Sequence, residues 1–274
     1  MNRDRIKRIK EQNIQDYQPI QLLWTGGWDS TFRLIQLLIN EKKIVQPYYL
    51  KFPSENTDID ELPVRRSTEK ELKVVQSIRN QLTENYSYTK ELLLPLKIFN
   101  ASEVVLDKNI VNSFFTIMQN RYIGKQYVWL ASFAKQYNLN KLEMGIEADT
   151  NTHKVIKPFI KKTGKTYLIN DIYSSTPEYI LFNYFSFPIL EYSKKDMAEI
   201  SKKENWTGLM KKTWFCHRPY FGKFPCGSCN PCVNAYEDGM GWRIPLFFRI
   251  FGRTFKKIYN AKAVKQLRNS VSQI

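Results

Sequence analysis

The sequence predicts an α/β fold built on a parallel sheet, with a small cysteine-bearing part toward its C-terminal end. Three observations carry that prediction. Leu22-Leu23-Trp24-Thr25-Gly26-Gly27-Trp28-Asp29-Ser30-Thr31 is an apolar run followed by two glycines, a carboxylate and two hydroxyls, and Phe32 to Ile39 continues with apolar positions at helical spacing. That order is strand, tight loop, helix. Ile44 to Leu50 then reads as a second strand, giving a β-α-β start with a parallel crossover. All four cysteines fall between 216 and 232, a clustering that favours metal ligation over disulfides.

Composition bounds the rest. With 274 residues, 43% hydrophobic and 14% aromatic, the chain has the material for one large α/β core with an appendage, or for two small domains. No apolar run approaches the roughly 20 residues of a membrane span. The basic start, Met1 to Arg8, is not followed by the apolar stretch of a signal peptide, so a cytoplasmic protein is expected. A net charge of +16 points to an anionic partner: a nucleotide, a nucleic acid, an acidic protein or a lipid surface. Lysine is spread along most of the chain, which reads equally well as a solvated surface.

Taken in order, residues 1 to 19 are polar and form an arm before a strand at 21 to 24 and a helix at 31 to 40. Lys51 to Pro63 is a loop, Arg66 to Ile78 has helical periodicity, and a third strand is expected near Glu91 to Leu96. Residues 100 to 119 are ambiguous. Asn120 to Tyr137 is helical, with Tyr127, Leu130, Ala131 and Ala134 on one face. Asn140 to Ile146 is a short strand running into Glu147-Ala148-Asp149-Thr150. Ligands of open α/β sheets bind beyond the carboxyl ends of the strands, so Glu147 and Asp149 are candidate site residues, with surface loop acids as the other reading. Thr163-Gly164-Lys165-Thr166 lacks the upstream glycine of a Walker loop and reads as a basic turn. Ser193 is the N-cap of a helix to about Lys203, with Asp196 completing a carboxylate form of the capping box.

The two glycines let the backbone approach a ligand with no Cβ in the way. The unpaired N–H groups of the following helical turn, with the helix dipole behind them, make an anion site. Ser30 and Thr31 add hydroxyl donors, and Asp29 orients the loop or faces a metal. The expected ligand is a phosphate group, a nucleotide's; a plain turn capped by Asp29 or Ser30 is the competing reading. Cys216, Cys226, Cys229 and Cys232 place four soft donors within seventeen residues, as tetrahedral zinc requires, against a reactive Cys-x-x-Cys pair as the alternative. His217 is expected outside that ligand set. Residues 239 to 274 hold eight Lys or Arg and no acid, interleaved with Trp242, Phe247, Phe248, Phe251, Phe255 and Tyr259. This tail either binds a nucleic acid or an anionic surface, or packs its aromatics on the body.

Thr25-Gly26-Gly27-Trp28-Asp29-Ser30 resembles the Ser-Gly-Gly-x-Asp-Ser pyrophosphate loop (PP-loop) of the N-type ATP pyrophosphatases. One cysteine followed by Cys-x-x-Cys-x-x-Cys narrows the resemblance to 7-cyano-7-deazaguanine synthases and their relatives in queuosine biosynthesis. Arg66 with Glu69 resembles that family's Arg-x-x-Glu, Asn120-Arg121 its Gly-Arg-Asn turn, Gly145 to Asp149 its Gly-x-x-x-x-Asp strand end, and Pro188 with Lys194 its Pro-x-x-x-x-x-Lys. The likeness covers roughly residues 20 to 238 and leaves the tail unexplained.

The resemblance implies a Rossmann-like (adenine nucleotide alpha hydrolase-like) ATP-binding domain over 20–200, a helical zinc-binding part over 201–238 and a separate tail over 239–274. It implies ATP-dependent adenylation of 7-carboxy-7-deazaguanine with pyrophosphate release. Ammonia then gives the amide, and a second ATP dehydrates it to the nitrile. On this resemblance Thr25, Gly26, Gly27, Asp29, Ser30 and Thr31 hold the phosphates, and Gly145 lines the nucleotide site. Asp29, Ser30, Arg121 and Lys194 are the catalytic set, Arg121 and Lys194 neutralising phosphate or a developing oxyanion. Asp149 helps place Mg²⁺, and the four cysteines hold Zn²⁺. The expected partners are the small-molecule acid and ammonia, and a homodimer is open. Thr25 in place of Ser, the bulky Trp28 and the partial match at Asn120-Arg121-Tyr122 are departures. They leave open the same activation with a protein or nucleic-acid acceptor, as in antiviral defence, and an inactive zinc-bearing nucleic-acid-binding module.

Overall fold

The structure, a computed structural model, describes residues 18–54 and 62–254. Most of the expected N-terminal arm and the tail from 255 onward lie outside the described residues.

Strand β1 (Ile20–Leu23) starts one residue earlier than expected. Its side chains alternate, Leu22 and Trp24 entering one apolar cluster and Leu23 another, so the strand is covered on both faces. Helix α1 begins at Trp28 rather than at 31, runs to Ile35 and continues as a π-helical turn over Gln36–Asn40. The earlier start comes from Gly27, which takes an extended N-cap conformation directly after the left-handed Gly26. β2 (Val45–Lys51) lies parallel to β1 as expected.

α2 (Thr68–Asn85) outlasts the predicted helix by nearly two turns. The strand expected near 91 to 96 is instead a helical turn, α3 (Thr89–Leu92), followed by β3 (Lys97–Asn100). Pro95 has no N–H for a ladder and its carbonyl is taken by the Gln46 side chain, so pairing with β2 waits until Lys97. The ambiguous stretch resolves into α4 (Lys108–Asn120), capped by Asp107. The helix expected over 120 to 137 is only α5 (Gln126–Gln136), because Arg121 is extended and ends α4.

β4 (Leu142–Glu143) is shorter than 140 to 146, since the chain turns immediately at Met144 to Ile146. After α6 (Asn151–Ile156), strands β5 (Ile160–Thr163) and β6 (Thr166–Ile169) form an antiparallel hairpin whose turn is the basic turn expected at Thr163–Thr166, with Gly164 at φ +59°. α7 (Pro177–Phe182), β7 (Phe185–Ser186), α8 (Lys194–Lys203), α9 (Thr207–Lys211) and α10 (Asn230–Ala235) complete the order. The Ser193–Asp196 capping box of α8 is present as predicted.

The five-stranded sheet has the order β3-β2-β1-β4-β7, parallel throughout. The chain moves outward from β1 to β3 and then returns to the other side of β1, so the crevice between the ends of β1 and β4 is the topological switch point. The cluster on the α1 side includes Trp24, Phe32 and Trp206 and continues without a break through Cys216, Cys226 and Cys232 to Phe248. The cysteine part therefore shares its core with the sheet, and each fully buried side chain there contributes about 2–3 kcal/mol. Among the described residues no helix is long and apolar enough to cross a membrane.

Candidate active site

β1 ends at Leu23 and hands over to α1 through the four residues Trp24-Thr25-Gly26-Gly27. Gly26 holds φ +71°, and a Cβ there would lie 3.2 Å from both Val74 Cγ1 and Val75 Cγ2 of α2. Glycine is thus required twice over, by conformation and by space. Gly27 caps α1 with no side-chain acceptor, so the N–H groups of the first turn face the crevice without a cap. Ser30 Oγ sits 3.4 Å from Thr25 N beneath the same loop. On the far side of the crevice Gly145 passes so close that a Cβ would meet Asp29 Cβ at 3.0 Å and Ser30 N at 3.2 Å.

Asp29 projects from the first turn of α1 and ion-pairs with Lys194, the first residue of α8, which also reaches Glu147 at 2.9 Å. Burial alone lowers the Lys194 pKa, but Asp29 and Glu147 outweigh it and the ammonium is held charged. Glu147 is pushed up to about 7, first by burial and then by Asp29, against the pull of Lys194. Below the loop, Arg33 of α1 donates to both Glu143 carboxylate oxygens of β4 at 2.8 and 2.9 Å and to Glu41 at 2.8 Å. This buried cross-link fixes the two elements that flank the crevice.

Two cavities meet at the loop. A smaller one, about 160 Å³, lies over the sheet ends and is lined by Leu23, Ser30, Leu50, Phe52, Tyr127 and Gly145. A larger one, about 310 Å³, opens toward the cysteine part and is lined by Trp28, Glu71, Glu147, Lys194, Trp214, Phe215, His217, Asp238 and Arg243. Thr25, Gly27, Asp29, Arg65 and Gln126 border both.

Of the expected site residues, Thr25, Gly27, Asp29, Ser30, Gly145 and Lys194 come together here. Gly26 shapes the loop from behind. Thr31 does not face either cavity: it is fully buried and accepts a hydrogen bond from Trp24 Nε1 at 3.1 Å. Arg121 is exposed at the end of α4 and lines neither cavity, whereas Gln126, the first residue of α5, borders both. Asp149 is exposed at φ +65°, its N–H donating to His153 Nδ1, while Glu147 turns inward. Arg66 and Glu69 are likewise exposed. Their neighbours Arg65 and Glu71 line the cavity, with Glu71 accepting from Tyr49 Oη at 2.8 Å and Ser67 Oγ at 2.6 Å.

The cysteine centre lies behind the larger cavity. The four Sγ atoms all lie within 4.8 Å of one another, with contacts of 3.5, 3.8 and 3.9 Å. A tetrahedral zinc with bonds near 2.3 Å needs sulfur edges of about 3.8 Å, so the donor set fits that ion. Backbone N–H groups of Cys226 and Cys229 donate to cysteine sulfurs at 3.2 and 3.3 Å, as thiolate ligands require. His217 stays out of the set. Its Nε2 lies 3.3 Å from Arg65 Nη2, and burial, then Arg65 and Arg218, lower its pKa to about 3, leaving it neutral. Trp214 N donates to Gly26 O at 2.9 Å, joining this part to the loop.

The described start of the tail packs on the centre. Gly227, at φ +69°, meets the chain so closely that a Cβ would lie 2.0 Å from Phe248 O. Phe248 is buried, whereas Trp242, Phe247 and Phe251 are exposed.

Against known proteins, residues 20–238, about four-fifths of the chain, match the family model described as QueC, queuosine biosynthesis protein QueC. No curated protein matches the chain.

Proposed function

We propose, for a chain that belongs to the queuosine biosynthesis protein QueC family, ATP-dependent activation of the carboxylate of 7-carboxy-7-deazaguanine and its conversion through the amide to the nitrile. The observation that carries this reading is the uncapped glycine turn at the sheet's switch point, with Asp29, Lys194 and Glu147 gathered at one cavity mouth. A carboxylate is a poor electrophile until one oxygen becomes a leaving group. Its oxygen attacks the α-phosphorus of ATP and pyrophosphate departs. Ammonia then adds to the acyl carbon, AMP leaves, and a proton passes to a base. The amide oxygen repeats the attack on a second ATP, and loss of AMP with the N–H protons gives the nitrile.

In this scheme the first-turn N–H groups of α1 and Ser30 hold phosphate in the smaller cavity, and the acid lies in the larger one. Lys194 and Arg65 stabilise charge on the departing groups, Arg65 taking the part first expected of Arg121. Glu147, titrating near neutrality, suits the proton transfers. Mg²⁺, when bound, would supply further neutralisation of phosphate, and the carboxylates beside the loop that would hold it are Asp29 and Glu147 rather than the exposed Asp149. Zn²⁺ at the cysteines holds the wall of the larger cavity.

A second reading keeps the activation step and changes the acceptor to a protein or nucleic acid. The net charge of +16 and the exposed Trp242 beside the cavity-lining Arg243 favour it. The test is pyrophosphate release from Mg-ATP with and without 7-carboxy-7-deazaguanine and ammonium, with mass spectrometry of the products. Acid-dependent release with a nitrile product is expected. Release without the nitrile supports the second reading, and no release overturns both.

A further inference from the structure

Among the described residues, the larger cavity contains one cation and one donor without a counterpart. Arg243 lies beyond the stretch that matches the family model, and it reaches back to the loop. Its guanidinium packs 4.6 Å from the Phe215 ring centroid and 5.4 Å from that of Trp28. Nη2 donates to the carbonyl and to Oγ1 of Thr213, both uncharged acceptors. Nε and Nη1 have no partner among the described residues, and no carboxylate there pairs with the guanidinium. The other cations of this cavity are matched: Lys194 by Asp29 and Glu147, Arg65 by Glu71. Burial pulls the Arg243 pKa down to about 10, against a smaller upward pull from the charge of Asp29 across the cavity.

The second observation is independent. Trp28 is 8% exposed, lines the same cavity, and its buried Nε1 has no hydrogen-bond partner among the described residues. A buried N–H without an acceptor is uncommon and costly unless a ligand supplies one. The free Nη1 of Arg243 and the Trp28 indole N–H, both on the wall of this cavity, can each donate to one oxygen of a carboxylate on a flat ring. We infer that Arg243 and Trp28 form a carboxylate-binding subsite that selects a planar heteroaromatic acid over its neutral amide. This rests on the reading that the larger cavity holds the acyl substrate. It makes Arg243 and Trp28 specificity-determining residues for the first step, in which the acid and not the amide must be taken.

The test compares binding, by calorimetry, of two acids and their carboxamides: 7-carboxy-7-deazaguanine and the simpler pyrrole-3-carboxylate. Arg243→Gln is expected to weaken acid binding about 10–100-fold, to change amide binding less than about threefold, and to leave ATP affinity unaltered. Arg243→Lys retains part of the preference as a point charge. Trp28→Phe keeps the ring and loses only the N–H, so it remains informative if Arg243→Gln fails to fold, and a loss of about threefold is expected for the acids alone. Acids bound no more tightly than their amides by the unsubstituted protein would overturn the subsite, as would variants that weaken ATP instead. Arg243-dependent selection of pyrrole-3-carboxylate without binding of the deazaguanine acid supports the subsite and overturns the substrate proposed above. Turnover of the deazaguanine acid with equal affinity in protein and variants leaves that substrate standing and removes the subsite.

Discussion

The cysteine centre and the Asp29–Lys194–Glu147 cluster are both compact groups of titratable side chains, yet they are built on opposite plans. The first is four identical donors facing one another, three of them buried, with backbone N–H groups turned to the sulfurs. The second mixes charges, opens on a cavity and contains a carboxyl group that titrates near neutrality. Closed and uniform suits a structural element, whereas open and mixed suits chemistry in which charge moves. The same distinction separates zinc sites that hold a fold from sites that keep a position for substrate.

The largest expected effect attacks the closed centre. Cys226→Ser should abolish stoichiometric zinc, read by metal analysis, and lower stability on the order of 5 kcal/mol, enough to leave a marginally stable chain unfolded by calorimetry. Protein purified without chelator and found zinc-free yet fully folded would erase the contrast. Asp29→Asn should invert the pattern: pyrophosphate release drops about 10²–10³-fold while the melting temperature stays within a few degrees.

Between these extremes lies the scaffold of the open cluster. Glu143→Gln leaves Arg33 with Glu41 as its one carboxylate, and denaturant unfolding should show a loss of about 3 kcal/mol. Gly26→Ala adds a Cβ at positive φ against Val74 and Val75 and should cost about 1–2 kcal/mol. The smallest effect is in pH. Because Glu147 holds its proton more tightly folded than unfolded, its contribution is complete below about pH 4.5 and is lost as pH rises through about 7. Glu147→Gln should therefore flatten the fall in melting temperature between those values, read by calorimetry at a series of pH values.

What could be read from the sequence was contiguous. The glycine loop and the four cysteines occupy short stretches, and local spacing alone brings their functional atoms together. Ser193–Asp196 was legible for the same reason, and it delivers Lys194 to the cavity as the first residue of its helix. The residues that escaped are set by packing between distant segments. Whether Arg65 or Arg66 faces the cavity depends on how the chain enters α2, and whether Glu147 or Asp149 does depends on the turn after a two-residue strand. Gln126 was missed because the chain breaks between α4 and α5, so that α5 starts at Gln126 and sets this side chain at the cavity. The Arg33–Glu143 pair did leave a trace: two opposite charges, each flanked by apolar residues, Phe32 and Leu34 on one side and Leu142 and Met144 on the other, are best explained by each other.

The hydrogen bond from Trp214 N to the Gly26 carbonyl joins the cysteine part to the turn that caps α1. Two binding events that share such a strut are thermodynamically linked. If metal at the cysteines tightens the loop's grip on phosphate by some factor, phosphate must tighten the grip on metal by that same factor. Nucleotide then becomes a guardian of the metal, and an idle enzyme is the one most exposed to chelation.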